Sequence, residues 1–286
     1  MLFAPGNHAR RVEKALTESG ADAAILDLED ALAIAEKVAT RAVVAEALRG
    51  PRSARAYVRV NGVETPWFFG DLEGVAGPGL DGILLPKTAH PQMLYLADRY
   101  LAHLERERSL APGSVDLIPI VETAEGVANL REICESGIAR VRRLSFGAAD
   151  LTADLGFTWT AEEQELLPIQ TQLAVYSRWA GLEPPLDTVF VHVRDLEGFE
   201  ATTRRGRQLG FQGRMCIHPD QVEPANRIYS PSAEEIAWAE EVVAAFAEAE
   251  ARGEAAIQVR GQMVDYPIAR QAEQLLRRAT GVERRG

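Results

Sequence analysis

The sequence contains few cysteines and no long apolar run. Its 286 residues include two cysteines, Cys134 and Cys216, which lie far apart and lack the spacing of a metal site. We expect both to be reduced and buried. No run of about eighteen apolar residues is present, so no transmembrane helix is predicted. The start of the chain lacks the charged and apolar regions of a signal peptide, and we therefore expect a cytoplasmic protein without membrane contact.

Basic residues are fewer than acidic ones, and several common sequence motifs are absent. The formal net charge is −11, which disfavours nonspecific binding to nucleic acid, although a local basic patch can still bind phosphate. The sequence has no GxSxG motif, no P-loop and no GxGxxG motif after a strand, so a triad hydrolase, an NTPase and a dinucleotide-binding fold lack support. Its histidines do not have HxH or HExxH spacing, which weighs against zinc.

The chain does contain repeated apolar runs of strand length that end in polar residues. Five of them are AAILDLED (23–30), AYVRVNG (56–62), DGILLPK (81–87), LIPIVETAEG (117–126) and RLSFGAADL (143–151). Such runs, separated by stretches of helix length, are typical of β/α units in a parallel sheet. We count eight units before residue 230, which predicts a TIM (β/α)₈ barrel, an α/β fold that needs about 250 residues. Residues 1–230 are the predicted catalytic domain.

A different pattern begins at Pro231. Ser232 and Glu235 have the spacing of a capping box at the start of a helix near 233–251. A short β-like piece at 255–265 and a last helix from Pro267 follow. We predict a C-terminal helix–hairpin–helix extension over residues 231–286. A barrel closes without it, and such an extension usually covers an opening or contacts a neighbouring subunit, so we expect a homo-oligomer.

The polar ends of the strands predict a site, because parallel barrel strands all end at one rim. The residues expected there are Glu29, Asp30, Arg59, Asn61, Lys87, Glu122 and Asp150. Glu122 and Asp150 would end neighbouring strands, and two carboxylates with open positions suit Mg²⁺. Helix capping is the alternative for both. It is weak for Glu122, because Thr123 follows and is a better cap.

Arg59 lies between two valines on a predicted central strand, where a charge is costly without a partner. It is interpreted as a clamp on a substrate carboxylate, as an ion pair with Glu29 or Glu122, or as both. Glu29 and Asp30 are candidates to hold metal-bound waters. A structural pair with a nearby lysine or arginine is their alternative.

Three other features complete the candidate set. Lys87 can pair with carboxylates or help to bind an anionic substrate, and a Schiff-base role ranks lower. Gly147, Ala148 and Ala149 are small, so their backbone N–H groups can approach a substrate carboxylate or oxyanion; a tight turn is the alternative. Asp265 stands just before Pro267, and the residues alone favour a helix N-cap there.

Eight phrases together resemble the citrate lyase β-subunit (CitE-like) family, which is similar to malyl-CoA, citramalyl-CoA and β-methylmalyl-CoA lyases within the HpcH/HpaI aldolases. They are LFAPGNHARRVEKA, AAILDLEDA, VRVNG, DGILLPK, IPIVETAEG, FGAADLTADLG, GRMCIHPDQV and GQMVDYPIARQA. They span nearly the whole chain in the family's order. The resemblance implies a TIM barrel, Mg²⁺, and cleavage or formation of a C–C bond in a 3-hydroxyacyl thioester. The products of cleavage would be an acyl thioester and a 2-keto acid (oxaloacetate, glyoxylate or pyruvate).

The resemblance also implies roles for individual residues. Glu122 and Asp150 match the family's metal ligands, and Arg59 matches the arginine that holds the keto-acid carboxylate. Glu29 and Asp30 match an acidic pair near the metal-bound waters. Asp265 matches an aspartate that, in the acyl-CoA lyases, reaches into the neighbouring subunit's site as an acid/base, which favours a homotrimer or hexamer.

One departure concerns the thioester carrier. Family members have an arginine two or three residues before the LFVPG phrase that helps to bind the CoA phosphates, whereas this sequence begins with Met1, Leu2 and Phe3. Either the start is truncated or misassigned, or CoA is held differently, by Arg10, Arg11 or Lys14. The carrier is CoA or an acyl carrier protein. Two other functions stay open: a metal-dependent aldolase acting on free keto acids, and a non-catalytic subunit that binds a diacid.

Overall fold

The computed structural model describes residues 1–280. Eight parallel strands form one sheet in chain order, each paired with the next. The strands are β1 (Leu2–Pro5), β2 (Ala23–Asp27), β3 (Arg55–Arg59), β4 (Gly82–Leu85), β5 (Asp116–Val121), β6 (Ser145–Phe146), β7 (Leu186–Asp187) and β8 (Gly213–Arg214).

The sheet closes on itself just beyond β8. Cys216 forms a parallel bridge with Leu2 of β1. Phe3 N–H donates to the Cys216 carbonyl at 2.8 Å, and Cys216 N–H donates to the Met1 carbonyl at 2.7 Å. These bonds join the last strand to the first, and the predicted TIM (β/α)₈ fold is confirmed.

Helices follow the strands around the barrel. They are α1 (Ala9–Thr17), α2 (Lys37–Arg49), α3 (Phe68–Val75), α4 (Pro91–Glu107), α5 (Ala124–Ala128), α6 (Leu130–Cys134), α7 (Ala148–Leu155), α8 (Leu167–Trp179), α9 (Leu196–Gln208) and α10 (Val222–Tyr229). Their apolar residues recur at helical spacing, as in α1, which buries Val12, Ala15 and Leu16. Within residues 1–280, no helix combines the length and the apolar character that a membrane span requires.

The barrel interior explains where the polar residues lie. Ile25 of β2 and Tyr57 of β3 belong to a buried cluster with residues of β4, β5 and β7. Side chains two residues apart on a strand point to the same face. Asp27 and Arg59 therefore face the same interior as Ile25 and Tyr57, one step nearer the carboxyl ends of the strands. The apolar cluster therefore fills the barrel interior beneath the polar residues of the rim.

Two elements near the rim differ from the sequence prediction. The run DTVFVHV (187–193) predicts a seventh strand, but β7 ends at Asp187, so His192 lies outside it. The neighbouring strands β6 and β8 have only two residues each. Residues 188–193 therefore have no neighbouring strands to pair with, and their β-branched side chains alone do not make them a strand. Asp150 is not at the end of a strand either. It lies in the first turn of α7.

The chain divides into two compact units, Met1–Arg227 and a second unit that begins at Ile228. The second unit contains α11 (Ala233–Ala251), the antiparallel hairpin of β9 (Ala256–Val259) and β10 (Gln262–Asp265), and α12 (Tyr266–Thr280).

The second unit has the predicted capping box and a core of its own. Ser232 Oγ accepts from Glu235 N–H at 3.1 Å, and Glu235 Oε2 accepts from Ser232 N–H at 2.8 Å. Side chains from both helices and the hairpin are buried together: Ala239, Val242, Phe246, Val259, Val264, Ala269 and Ala272. Of the predicted extension, positions 281–286 lie outside the described residues.

Candidate active site

Arg59 is held at the rim by two carboxylates. Its Nε donates to Asp27 Oδ1 at 2.8 Å and its Nη2 to Asp27 Oδ2 at 2.5 Å. Its Nη1 lies 2.9 Å from Glu29 Oε2. Burial disfavours the charged guanidinium, but Asp27, Glu29 and Glu122 outweigh it and raise the pKa of Arg59. Arg59 is thus a permanent cation in a fixed orientation.

Asp27 is a residue that sequence reasoning did not place in the site. It is Arg59's direct neighbour in the pairing of β2 with β3. Besides Arg59, its oxygens accept from Glu29 N–H at 3.0 Å and from Ala31 N–H at 3.2 Å. Asp27 therefore fixes both the arginine and the turn that carries Glu29. Its inward position, two residues after Ile25, is the signal that was available in the sequence.

Lys87 and Glu29 form the second pair of the rim. Lys87 Nζ donates to Glu29 Oε1 at 2.7 Å, and lies 3.5 Å from Asp30 Oδ2 and 3.8 Å from Asp150 Oδ1. Burial raises the pKa of Glu29, against the lowering effect of Arg59 and Lys87. Glu29 Oε2 is buried and has no hydrogen-bond partner within residues 1–280, despite its ionic contact with Arg59.

Glu122 directly follows β5 and is almost completely buried. Its Oε1 accepts from Lys87 N–H at 2.8 Å. Burial and the nearby Asp150 carboxylate raise the pKa of Glu122 to about 8, although Arg59 opposes them. The cap of α5 is Thr123, whose Oγ1 accepts from Gly126 N–H at 3.0 Å. Glu122 is therefore not a helix cap, and its carboxylate faces the rim cluster.

Asp150 reaches the cluster from the first turn of α7, where the helix dipole favours a negative charge. Its side chain is 34% exposed. The turn at 147–149 differs from the prediction that its backbone N–H groups can approach a substrate. Gly147 N–H donates to the Val121 carbonyl at 3.2 Å, and Ala148 N–H donates to Thr188 Oγ1 at 2.9 Å. These two N–H groups hold the turn and are not free to bind a substrate, which leaves Ala149 as the exposed residue of the three.

The other two predicted residues, Asn61 and Asp265, have contacts of their own. Asn61 is buried, accepts from Lys37 Nζ at 2.6 Å and donates to Asp71 at 2.6 Å, so it supports the loops around the rim. Asp265 ends β10 in the second unit, is partly exposed, and accepts from Ile268 N–H at 3.3 Å. This contact is the helix N-cap that the residues alone favoured. Cys134 and Cys216 are free and buried.

The rim offers oxygen ligands to a cation. No group of three or more histidine, cysteine, aspartate or glutamate side chains forms a ready metal cage within residues 1–280. Mg²⁺ needs no such cage, because it is usually held by one or two carboxylates together with waters and substrate oxygens. Glu122 and Asp150 supply two carboxylates. Glu29 Oε2 has an ionic contact with Arg59 but accepts no hydrogen bond within residues 1–280, so it can accept one from a coordinated water. The donor set fits Mg²⁺.

The family comparison covers most of the chain. Residues 1–219 match the model of the family described as HpcH/HpaI aldolase/citrate lyase. The citrate lyase subunit beta of Leuconostoc mesenteroides subsp. cremoris is 35% identical over 281 residues, which cover 98% of this chain and 92% of that protein. The human mitochondrial citramalyl-CoA lyase is 31% identical over 297 residues, which cover 99% of this chain and 86% of that protein.

A solved structure of a similar protein matches the fold as well. It is CitE from Mycobacterium tuberculosis in complex with magnesium, acetoacetate and coenzyme A, with a TM-score of 0.78 and 31% identity. The match covers 98% of this chain and 97% of that one. The resemblance seen in the sequence is confirmed: the chain belongs to the HpcH/HpaI aldolase/citrate lyase family, and it is a carbon–carbon lyase of the citrate lyase β-subunit-like type.

Proposed function

We propose that this protein is a Mg²⁺-dependent lyase that cleaves or forms a 3-hydroxyacyl thioester of the citryl, malyl or citramalyl type. Cleavage gives a 2-keto acid (oxaloacetate, glyoxylate or pyruvate) and an acyl thioester on CoA or an acyl carrier protein. The observation that carries the proposal is the buried Glu122 carboxylate, with Asp150 and the Arg59 cation among the charges that act on it. The names of the human relative and of the M. tuberculosis complex point to the same substrates and metal.

Glu122 and Asp150 are the proposed Mg²⁺ ligands, and Glu29 and Asp30 hold the waters around the ion. When bound, the metal supplies a Lewis acid that stabilises the negative charge developing on the hydroxyl oxygen as the C–C bond breaks. The raised pKa of Glu122 supports this assignment. It means that the buried carboxylate is costly to ionise without a cation, and a bound metal ion would offset that cost.

Arg59 is the proposed clamp for the keto-acid carboxylate. A guanidinium has five N–H donors, and Asp27 accepts two hydrogen bonds from Arg59, one from Nε and one from Nη2. Nη1 also lies 2.9 Å from Glu29 Oε2. The N–H groups of Nη1 and Nη2 that neither carboxylate uses are the proposed donors to the substrate carboxylate. Lys87 adds positive charge beside the anionic substrate, and Ala149 is the proposed backbone contact.

Asp265 is the proposed acid/base, donated by a neighbouring subunit of a homotrimer or hexamer. In cleavage, a base takes the hydroxyl proton, the C–C bond breaks to leave the keto acid, and Asp265 delivers a proton to the carbon of the acyl thioester. In synthesis, Asp265 takes that proton back. A partly exposed carboxylate at a strand end can exchange protons in both directions.

The metal assignment is tested by isosteric variants. Glu122→Gln and Asp150→Asn should each lower Mg²⁺-dependent turnover by about 100-fold or more while the protein stays folded. Glu125→Gln is the matched control, because Glu125 is an exposed carboxylate on the neighbouring α5. Full turnover in both site variants would show that the metal is held elsewhere.

The shared site is tested by mixing subunits. A chain carrying Asp265→Ala and a chain carrying Arg59→Ala should each be inactive alone. Hetero-oligomers of the two should regain part of the activity, because some sites receive both intact residues from different chains. Mixed oligomers that form but remain inactive would contradict the role of Asp265 across an interface.

A further inference from the structure

A buried ionic network lies beside the turn that carries Asp150. Its centre is Arg214 of β8, which has almost no exposed surface. Arg214 Nη2 donates to both oxygens of Glu163, at 2.9 Å and 3.2 Å. A charge pair this deep is costly to desolvate, so it is weak evidence for a contribution to stability alone.

Arg214 and Asp187 together hold the backbone of Thr188. Arg214 Nε donates to the Thr188 carbonyl at 2.9 Å. Thr188 N–H donates to Asp187 Oδ1 at 2.9 Å, and that same oxygen accepts from Gln170 Nε2 at 2.9 Å. Both backbone polar groups of Thr188 are therefore bonded to buried side chains. Thr188 is therefore fixed directly after the end of β7.

The side chain of Thr188 then bonds the first residue of α7. Its Oγ1 accepts from Ala148 N–H at 2.9 Å, and both residues are fully buried. The first N–H groups of a helix have no acceptor within the helix and are usually satisfied by the side chain of the N-cap residue. The N-cap of α7 is Gly147, which has no side chain. The missing acceptor is instead the hydroxyl of Thr188, the residue that follows β7.

The turn from Gly147 to Asp150 is thus anchored on both sides. Gly147 N–H bonds the Val121 carbonyl, next to Glu122, and Ala148 N–H bonds Thr188 at the end of β7. We propose that Thr188 is a positioning residue for the metal site: its hydroxyl fixes the start of α7 and thereby sets where Asp150 stands relative to Glu122. This inference rests on the proposed function, since it takes Glu122 and Asp150 as the metal ligands.

The test measures metal binding without substrate. Binding of Mn²⁺ is followed from the electron paramagnetic resonance signal of the free ion, and thermal unfolding of each variant is recorded alongside. Thr188→Val keeps the shape but removes the acceptor. It should raise the Mn²⁺ Kd by roughly 10-fold or more, the range seen when a group that orients a metal ligand is lost. Thr188→Ser keeps the acceptor and should bind like the wild type.

Thr203→Val is the matched control. Thr203 is a buried threonine whose Oγ1 accepts from Arg214 at 3.3 Å, but it does not bond α7. It should lower the melting temperature and leave the Kd unchanged. An unchanged Kd in Thr188→Val, or an equal rise in Thr203→Val, would overturn the inference.

Two outcomes separate this inference from the proposed function. A wild-type protein that binds no Mn²⁺ contradicts the proposed metal site itself. If Thr188→Val does not fold, Thr188→Ala removes the same acceptor with a smaller side chain and gives the same test. Failure of both to fold, with Thr188→Ser folded, would assign Thr188 a purely structural role.

Discussion

The Oε2 atom of Glu122 lies 2.0 Å from the position that a Cβ atom on Gly147 would occupy. This distance is far below any van der Waals contact, so Glu122 can lie where it does only because residue 147 has no side chain. Position 147 therefore requires a glycine, because any side chain would overlap with Glu122. The space left by the glycine lets the Glu122 carboxylate lie against the turn that leads to Asp150.

Gly147→Ala should consequently displace the Glu122 carboxylate. We expect turnover to fall by about 100-fold or more, with a weaker Mn²⁺ affinity, because Glu122 would be forced out of the rim cluster. Gly62→Ala is the control, since nothing lies within 4 Å of its added Cβ atom. Normal metal binding by a folded Gly147→Ala protein would show that Glu122 has room to move and that its observed position is not required.

The pair of Arg59 with Asp27 predicts an effect on stability. Asp27→Asn removes one of the two carboxylates that pair with a buried guanidinium and leaves Glu29 in place. It should destabilise the protein by up to about 3–5 kcal/mol, as measured by urea unfolding. It should also weaken keto-acid binding, because the orientation of Arg59 is lost. Glu46→Gln, which breaks an exposed pair with Arg49, should cost about 1 kcal/mol or less. Equal costs for the two variants would contradict the account of Arg59.

The fold was predictable from the sequence because its pattern is local. Apolar runs of strand length and helices with 3.6-residue periodicity repeat eight times, and a parallel barrel is the architecture that uses that repeat. The end of β7 at Asp187 was not predictable. The residues after it have high β propensity, and only the short neighbouring strands β6 and β8 decide that the ladder stops.

The site was predictable in its members but less so in its contacts. Placing Glu29, Arg59, Lys87 and Glu122 together requires only that parallel strands end at one rim. The partner of Arg59 depends on the register of β2 against β3, which brings in Asp27. The sequence does not indicate a role for Thr188, which looks like any other residue of a β-branched run. Its role arises from a contact with Ala148, 40 residues earlier in the chain.

Glu163 predicts a pH dependence of stability. Burial raises its pKa from 4.5 to about 7, and Asp187 adds to this, against the effect of Arg214 and Arg205. The folded protein thus keeps a proton that the unfolded chain releases, so the free energy of unfolding should fall as the pH rises through this window. The slope is at most about 1.4 kcal/mol per pH unit for one proton.

Glu163→Gln removes this titration and should flatten the dependence. Urea unfolding at pH 5, 6 and 7, in the presence of a chelator, compares the two slopes. At pH 5, where the folded protein keeps the Glu163 proton, the variant should have a stability close to that of the wild type, because glutamine has a similar shape and is also uncharged. Parallel curves for the wild type and the variant would mean that Glu163 is ionised throughout.

The two cysteines should be unreactive in the folded protein. Burial, helped by Glu135, raises the pKa of Cys134 to about 12, and burial also raises the pKa of Cys216. Since the thiolate is the reactive species, a disulfide reagent at pH 8 should label neither thiol within minutes. Both should react in guanidinium chloride. Rapid labelling of the native protein would show that one of these sites opens to solvent.

The most direct test of the central claim is the release of keto acid from a panel of substrates. Purified protein is incubated with citryl-, malyl- and citramalyl-CoA, and with the corresponding free acids, in Mg²⁺ or in a chelator. The account predicts that at least one thioester is cleaved in Mg²⁺ and that the free acids react at least about 100-fold more slowly. The chelator, Glu122→Gln and Asp150→Asn should each lower release by about 100-fold or more. Equal turnover of the free acids, or release that persists in the chelator and in both variants, would contradict it.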